Sequence, residues 1–317
     1  MIVCSCNWFT EEEPYCIEFL STFETETRPF ALAVDPQSGE LFILSYKNAF
    51  FDYCIIGKYS ANGEFLDTLI DFETFSNGEF PSYSPADLYI DTIKLIVVTR
   101  PETNSDQKVF SVLKFNLNGE FQDEFPFYIK EDEGLWGAYT YAKETVYKAG
   151  LGFIKTYPLN GEGGEEYKFL DEEEARKDPF RFPISSLAVN SNGKIYLTGQ
   201  MPYGLDTIHW GISHHLSIYN TRNCEMSTTE ISDVDECIPG SMISQPQVEI
   251  GEHDRVYLTT FYCQKLLVYE KSGEPLAEIF LDDFSDNYLF PSDIAVGNNR
   301  IYIAEASERM ILIFEER

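Results

Sequence analysis

At 317 residues, 44 % of them apolar, the chain is long enough to bury a sizeable core, as one large domain or two ordinary ones. Its 53 Asp and Glu against 23 Lys and Arg leave a formal charge of −30, which argues against nucleic acid as a partner, since phosphate neutralisation needs cations, and against an anionic membrane surface. No apolar run reaches the roughly 18 residues of a membrane-crossing helix. Such a charge either solvates the surface or steers cations and basic proteins toward it. The 20 Tyr and 25 Phe suit strands rather than helices.

The chain starts with an acidic stretch, and residues 1–14 read as a disordered tail or tether. Val3-Cys4-Ser5-Cys6 has two readings. It is an unprocessed cytoplasmic start, or it is the end of a lipoprotein signal, with Cys6 as the lipidated anchor. The second places the protein in the cell envelope or outside the cell, with no membrane insertion beyond the anchor. Tyr15 to Phe23 is a lone strand with nothing before it to pair with.

From Pro29 onward one phrase recurs: a Pro, then a short apolar run ending in Asp, Asn or Gly. Its copies begin at Pro29, Pro85, Pro183, Pro246 and Pro291, with a weaker copy lacking the Pro from Leu135 to Tyr141. Pro suits the first residue of a strand, where no ladder donor is needed. Each copy precedes a second strand, such as Leu41-Phe42-Ile43-Leu44 or Arg300-Ile301-Tyr302-Ile303. A hairpin then follows, clearest from Val109 to Phe125, which turns at Asn118-Gly119. Others turn at Asn62-Gly63, Asn160-Gly161 and Ser272-Gly273. Asn-Gly is the favoured centre of a two-residue type I′ turn, so each is a β-hairpin signal.

Four antiparallel strands repeating six times, at intervals of about 50 residues, predict an all-β, six-bladed β-propeller over residues 15–317. The last unit has only three strands of its own, and the orphan strand Tyr15–Phe23 supplies the fourth, closing the last blade.

The stretch Pro291-Ser292-Asp293-Ile294-Ala295-Val296, Ile301-Tyr302-Ile303-Ala304-Glu305 and Arg309 to Phe314 resembles an NHL repeat, with Glu305 in place of the usual Asp and poised to pair with Arg309. The picture it implies is a bacterial six-bladed propeller of NHL-like type, which would gather ligands on the face built by inter-blade loops and by the loops between second and third strands. Trp-Asp, Gly-His and paired-glycine signatures of other propellers are absent.

On that face the inter-blade loops are acidic and aromatic. Their aromatics either bind a partner or plug gaps between blades. Residues 200–215 form the longest loop of their type, holding Tyr203, His209, Trp210, His214 and His215. Tyr203, His209 and Trp210, with Trp136, are candidate ligand-binding residues. His214 is a candidate metal ligand, although neighbouring strand residues point to opposite faces. Asp87 and Asp293, each just before an innermost apolar run, either converge on a hard cation such as Ca²⁺ or hydrogen-bond nearby backbone. Glu249 and Asn190 would complete a metal-dependent hydrolase pattern that the propeller resemblance implies. In an oxidising compartment, Cys237 and Cys263 are the expected disulfide.

Two functions follow. The first is a non-catalytic binding or scaffold propeller that recognises a protein or glycan through an acidic, aromatic loop face. The alternative is a metal-dependent hydrolase or lyase using channel carboxylates.

Overall fold

Apolar residues at period two place strands almost wherever the repeated phrases predict them. The computed structural model describes residues 2–4, 15–47, 54–75, 84–100, 108–129, 138–150, 153–161, 164–168, 184–203, 211–222, 225–231, 247–260, 264–285 and 289–317. They fall into two compact units, Met1–Glu133 with Leu289–Arg317, and Gly134–Tyr288.

In the first unit, β1 (Ile2–Cys4) and β2 (Cys16–Glu24) precede an antiparallel sheet of β3 (Arg28–Val34), β4 (Leu41–Tyr46), β5 (Cys54–Tyr59) and β6 (Phe65–Asp71). The short helix α1 (Phe72–Phe75) separates it from a second sheet of β7 (Ser84–Asp91), β8 (Lys94–Arg100), β9 (Lys108–Asn116) and β10 (Phe121–Ile129). The second unit holds three such sheets. They are β11 (Ala138–Ala142), β12 (Thr145–Gly150), β13 (Phe153–Pro158) and β14 (Glu166–Lys168); β15 (Ile184–Val189), β16 (Lys194–Tyr203), β17 (Gly211–Asn220) and β18 (Glu225–Ile231); and β19 (Gln247–Ile250), β20 (Val256–Thr260), β21 (Lys265–Tyr269) and β22 (Pro275–Phe280). The closing sheet belongs to the first unit. In it β23 (Pro291–Gly297), β24 (Arg300–Glu305) and β25 (Met310–Glu316) are completed by β2, in the order β1-β2-β25-β24-β23.

The orphan strand therefore does what the repeat count requires. Phe19 lies opposite Phe314 in register, their rings edge to face at 5.5 Å, and the backbone and hydroxyl of Thr25 both donate to the Arg309 carbonyl. The expected tail is partly a strand: Ile2–Cys4 adds a fifth strand to the closing sheet, while residues 5–14 lie outside the described residues.

Side chains from facing sheets interdigitate. In the first unit Phe42, Leu44 and Ile56 pack on Leu95, Val97 and Leu113, and Leu41 and Ile43 pack on Tyr302, Ile311 and Ile313. In the second, Ala149 and Ile154 meet Leu187 and Leu197, while Tyr196 and Leu216 meet Val256 and Leu258. Leu41 to Leu44 are all at most 1 % exposed, so both faces of β4 are covered. A doubly covered strand reads as a continuous apolar run, which is how the second strands stood out in the sequence. Each such side chain is worth about 1.5–3 kcal/mol of burial.

Two local expectations change. The Asn-Gly hairpins are not type I′ turns. Gly63 and Gly119 donate to the carbonyls three residues back, Ser60 and Asn116, and only the glycine takes positive φ, at 88° and 82°. This is a type I turn followed by a left-handed residue, the three-residue hairpin loop. The two-residue type I′ geometry occurs instead at Lys143-Glu144 and Asn298-Asn299, where both φ values are positive and no glycine is present. Nor does Glu305 pair with Arg309. It is fully buried, and its carboxylate accepts the N–H groups of Phe290 (2.8 Å), Ser307 (3.1 Å) and Glu308 and the hydroxyl of Ser307 (2.6 Å). The Arg309 guanidinium reaches the Glu26 carbonyl at 3.5 Å. A short, buried acid satisfies the loop's orphan donors better than it could serve a long solvated cation.

Consecutive sheets within a unit are also tied through their turns. Tyr302 and Arg300 donate to the Ala61 carbonyl of the first sheet's hairpin, and Tyr196 donates to the Lys271 carbonyl in the next sheet's hairpin. The Asn298 amide donates to the Pro36 carbonyl and accepts from the Gly39 N–H, joining the first turns of the closing and first sheets.

Candidate functional site

The loop expected over residues 200–215 is shorter than its sequence suggests. Gln200 to Tyr203 pair with His214 to Gly211, extending the β16–β17 hairpin, so that Tyr203 stands opposite Gly211 and His214 opposite both Gln200 and Ile231. Pro202 is tolerated because β15 ends its pairing at Gly199, leaving no ladder donor to lose on that side. Among the other candidates, His209, Trp210, Trp136, Cys6, Cys237 and Cys263 lie outside the described residues.

Asp87 and Asp293 occupy equivalent places. Each follows an irregularity in its first strand, between Pro85 and Asp87 and between Pro291 and Asp293. The Asp293 Oδ2 accepts the Leu32 N–H at 2.7 Å, from the first strand of the neighbouring sheet. Ser186, at the same place in β15, accepts the Val248 N–H of β19 at 3.2 Å. These N–H groups lie on first strands, whose free edge no other strand pairs among the described residues. The residue before β7 in this series is Ala31, which has no acceptor to offer. Asp87 instead accepts the N–H of its own neighbour Leu88 (2.8 Å) and the hydroxyl of Tyr89 (2.5 Å). Each acid thus accepts at least one backbone N–H.

A hard cation needs six or more oxygens, and among the described residues no three His, Cys, Asp or Glu side chains come together in a way that could hold a metal ion. Asn190, named as a third channel group, is buried in a turn where its Oδ1 accepts the N–H groups of Asn192 (3.0 Å) and Lys194 (2.9 Å). Glu249 faces Tyr257 in the β19–β20 ladder.

Two inter-sheet connections contain described residues that differ in kind. At 71–75 the aromatics are plugs: Phe72 is buried, and Phe75 packs edge-on against Phe115 and at 5.5 Å from Phe121. The Lys47 amine sits 2.5 Å from Asp71 and 3.1 Å from Glu73 and offsets one of their two charges. Those hydrogen bonds, led by Asp71, hold its pKa above the ordinary lysine value. The connection after β22 differs. Leu281 is fully buried and its N–H donates to the Gln264 carbonyl at 2.6 Å, pinning a single 3-10 turn, Leu281–Phe284, against its sheet. Asp282 and Asp283 stand exposed on that turn, and Phe280 just before it is 47 % exposed with the Lys265 ammonium 4.8 Å from its ring centre. Acids carried on a pinned backbone lose little conformational freedom when they bind. The sequence marked this loop as acidic; the anchor behind it had no signal beyond one apolar residue.

Six antiparallel sheets in chain order, four strands each apart from the extra β1, with the closing sheet built from both ends of the chain, define a six-bladed β-propeller. No protein-family model matches the chain. No curated protein matches it in sequence. Solved propellers match in fold. Virginiamycin B lyase from Staphylococcus aureus aligns with a TM-score of 0.55 at 11 % identity, covering 95 % of this chain and 99 % of its own. The N-terminal domain of Nup159 gives 0.53 at 11 %, covering 96 % of each, and a protein of unknown function from Bacteroides caccae gives 0.54 at 12 %, covering 93 % and 97 %. At such identities the likeness is one of fold alone.

Proposed function

We propose that this chain is a non-catalytic binding or scaffold propeller that recognises a protein partner, with a glycan as the other candidate, through acidic loops at one end of its blades. The observation that carries the reading is the pinned display of Asp282 and Asp283 beside the half-exposed Phe280, on a chain with a formal charge of −30. A field of that sign speeds the approach of a cationic segment, and the exposed ring supplies apolar contact once it arrives. Among propellers of this fold, Nup159 has been seen with Dbp5 bound to it. The NHL-like label rests on the phrase from Pro291 to Phe314. Tyr203, His209, Trp210 and Trp136 belong to the same proposed recognition face.

Binding of a basic peptide, followed by fluorescence anisotropy at two salt concentrations, tests the reading. Reversal of Asp282 and Asp283 to Lys weakens binding at least tenfold and flattens its salt dependence. A control reversal of Glu64 and Asp67, exposed in the β5–β6 hairpin, does so far less. Equal losses from both pairs would reduce the effect to bulk charge and remove the face from consideration.

The alternative, a metal-dependent hydrolase or lyase, is favoured only by the matched positions of Asp87 and Asp293. A Ca²⁺ or Zn²⁺ titration that raises the melting temperature would support it, and no shift with either ion would remove it.

A further inference from the structure

We propose that Cys4 and Cys16 form a cross-strand disulfide that staples the N-terminal strand to the strand completing the closing blade. Cys16 is disulfide-bonded, whereas Cys54 is a buried cysteine that forms no disulfide. In the β1–β2 register Ile2 stands opposite Glu18, Val3 opposite Ile17 and Cys4 opposite Cys16. The kind of pair follows from the other side of β2. The Cys16 N–H donates to the Arg317 carbonyl (3.4 Å), and its carbonyl accepts the Arg317 N–H (2.9 Å). In an antiparallel ladder both backbone groups of a residue point to the same neighbour, so Cys16 has turned both toward Arg317 and neither toward β1. Cys4 and Cys16 are therefore a non-hydrogen-bonded pair, the kind in which Cα atoms approach to about 4.5 Å. That lies inside the roughly 4.4–6.8 Å a disulfide spans.

Closure converts two thiols into one S–S bond with loss of two protons and two electrons. A small-molecule or protein disulfide is the oxidant. One cysteine thiolate attacks its sulfur and releases a first thiol; the second cysteine thiolate then displaces the other from the mixed disulfide, leaving the oxidant as two thiols. The bond persists in an oxidising compartment and opens in a reducing one. β1 lies on the outer edge of the closing sheet, so the staple also holds in place the strand that covers that edge.

The test uses full-length protein purified without reductant, alkylated with N-ethylmaleimide and cut with glutamyl endopeptidase, which separates Cys4 from Cys16 within Glu11–Glu13. Mass spectrometry is expected to find the two peptides linked, with fragment ions placing the bond at Cys4 and maleimide on Cys6, and to lose the link on reduction. The C6S variant keeps the link, and in it a further C4S substitution leaves Cys16 alkylated. Maleimide on Cys16 in the unreduced parent, or a link that vanishes in C6S, would overturn the proposal.

Discussion

The Oδ2 of Asp293 accepts the backbone N–H of Leu32 at 2.7 Å, across 261 residues of sequence, and so joins the last blade to the first. Removing the acceptor leaves a partly buried donor without its partner. D293A is expected to lower unfolding free energy by about 1.5–3 kcal/mol and D293N by less, because the amide oxygen still accepts. S186A, at the matching neutral tie to Val248, is expected to cost about 1 kcal/mol. Urea unfolding of the three variants checks the order.

Glu305 is fully buried and accepts from four donors, three in the loop between β24 and β25 and one, the Phe290 N–H, just before β23. E305A strands those donors together and is expected to destabilise by about 3 kcal/mol. E305Q keeps an acceptor but turns an amide N–H₂ toward them, and falls between the alanine variant and the parent. If R309A proved as damaging as E305A, the acid would be acting as an ion-pair partner after all. Thermal unfolding of the three variants decides it.

Gly119 and Gly161 fill the same left-handed turn position, at φ 82° and 76°, yet their surroundings differ. A Cβ on Gly119 would meet the Leu69 carbonyl oxygen at 2.6 Å, whereas one on Gly161 would have nothing within 4 Å. G161A therefore carries only the backbone penalty, about 1–2 kcal/mol. G119A adds overpacking against a neighbouring blade and should lose about 1–3 kcal/mol more. Parallel denaturant titrations give the difference directly.

Burial, followed by the field of Asp254 at Tyr196 and of Glu278 at Tyr269, pushes both phenols up to about 12. An acid whose pKa is raised by folding binds its proton more tightly in the folded state. The stabilisation is therefore complete below pH 10, the ordinary tyrosine value, and is lost as pH rises from about 10 to 12. Phenolate absorbance should lag behind that of the exposed tyrosines and then rise together with unfolding. Y196F and Y269F are expected to shift that alkaline transition to higher pH.

Strand positions were legible because covered strands must be apolar and half-covered ones must alternate; Leu41–Leu44 and Ile301–Ala304 left little choice. The N-terminal strand was legible by counting, since the last unit lacked one. Turn type was not, because Asn-Gly serves a two-residue and a three-residue loop alike, and only the hydrogen bond from Gly63 to Ser60 separates them. The role of Asp293 was not legible either. An acid before an apolar run looks the same whether its oxygen meets an ion or the N–H of Leu32, and that N–H arrives from a strand far away in sequence. The length of the β16–β17 hairpin was hidden by Pro202, which reads as a breaker until β15 is seen to stop short of it.

The pairing of Phe19 with Phe314 also sets a schedule for biosynthesis. At about 5–20 residues per second, a ribosome needs roughly 15–60 s to make the partner of a strand it has already released. Through that interval β2 carries an unmatched hydrogen-bonding edge, open to any other nascent chain. The blade that matures last is the one this strand begins, so β2 waits longest for its partner and gains most from a chaperone.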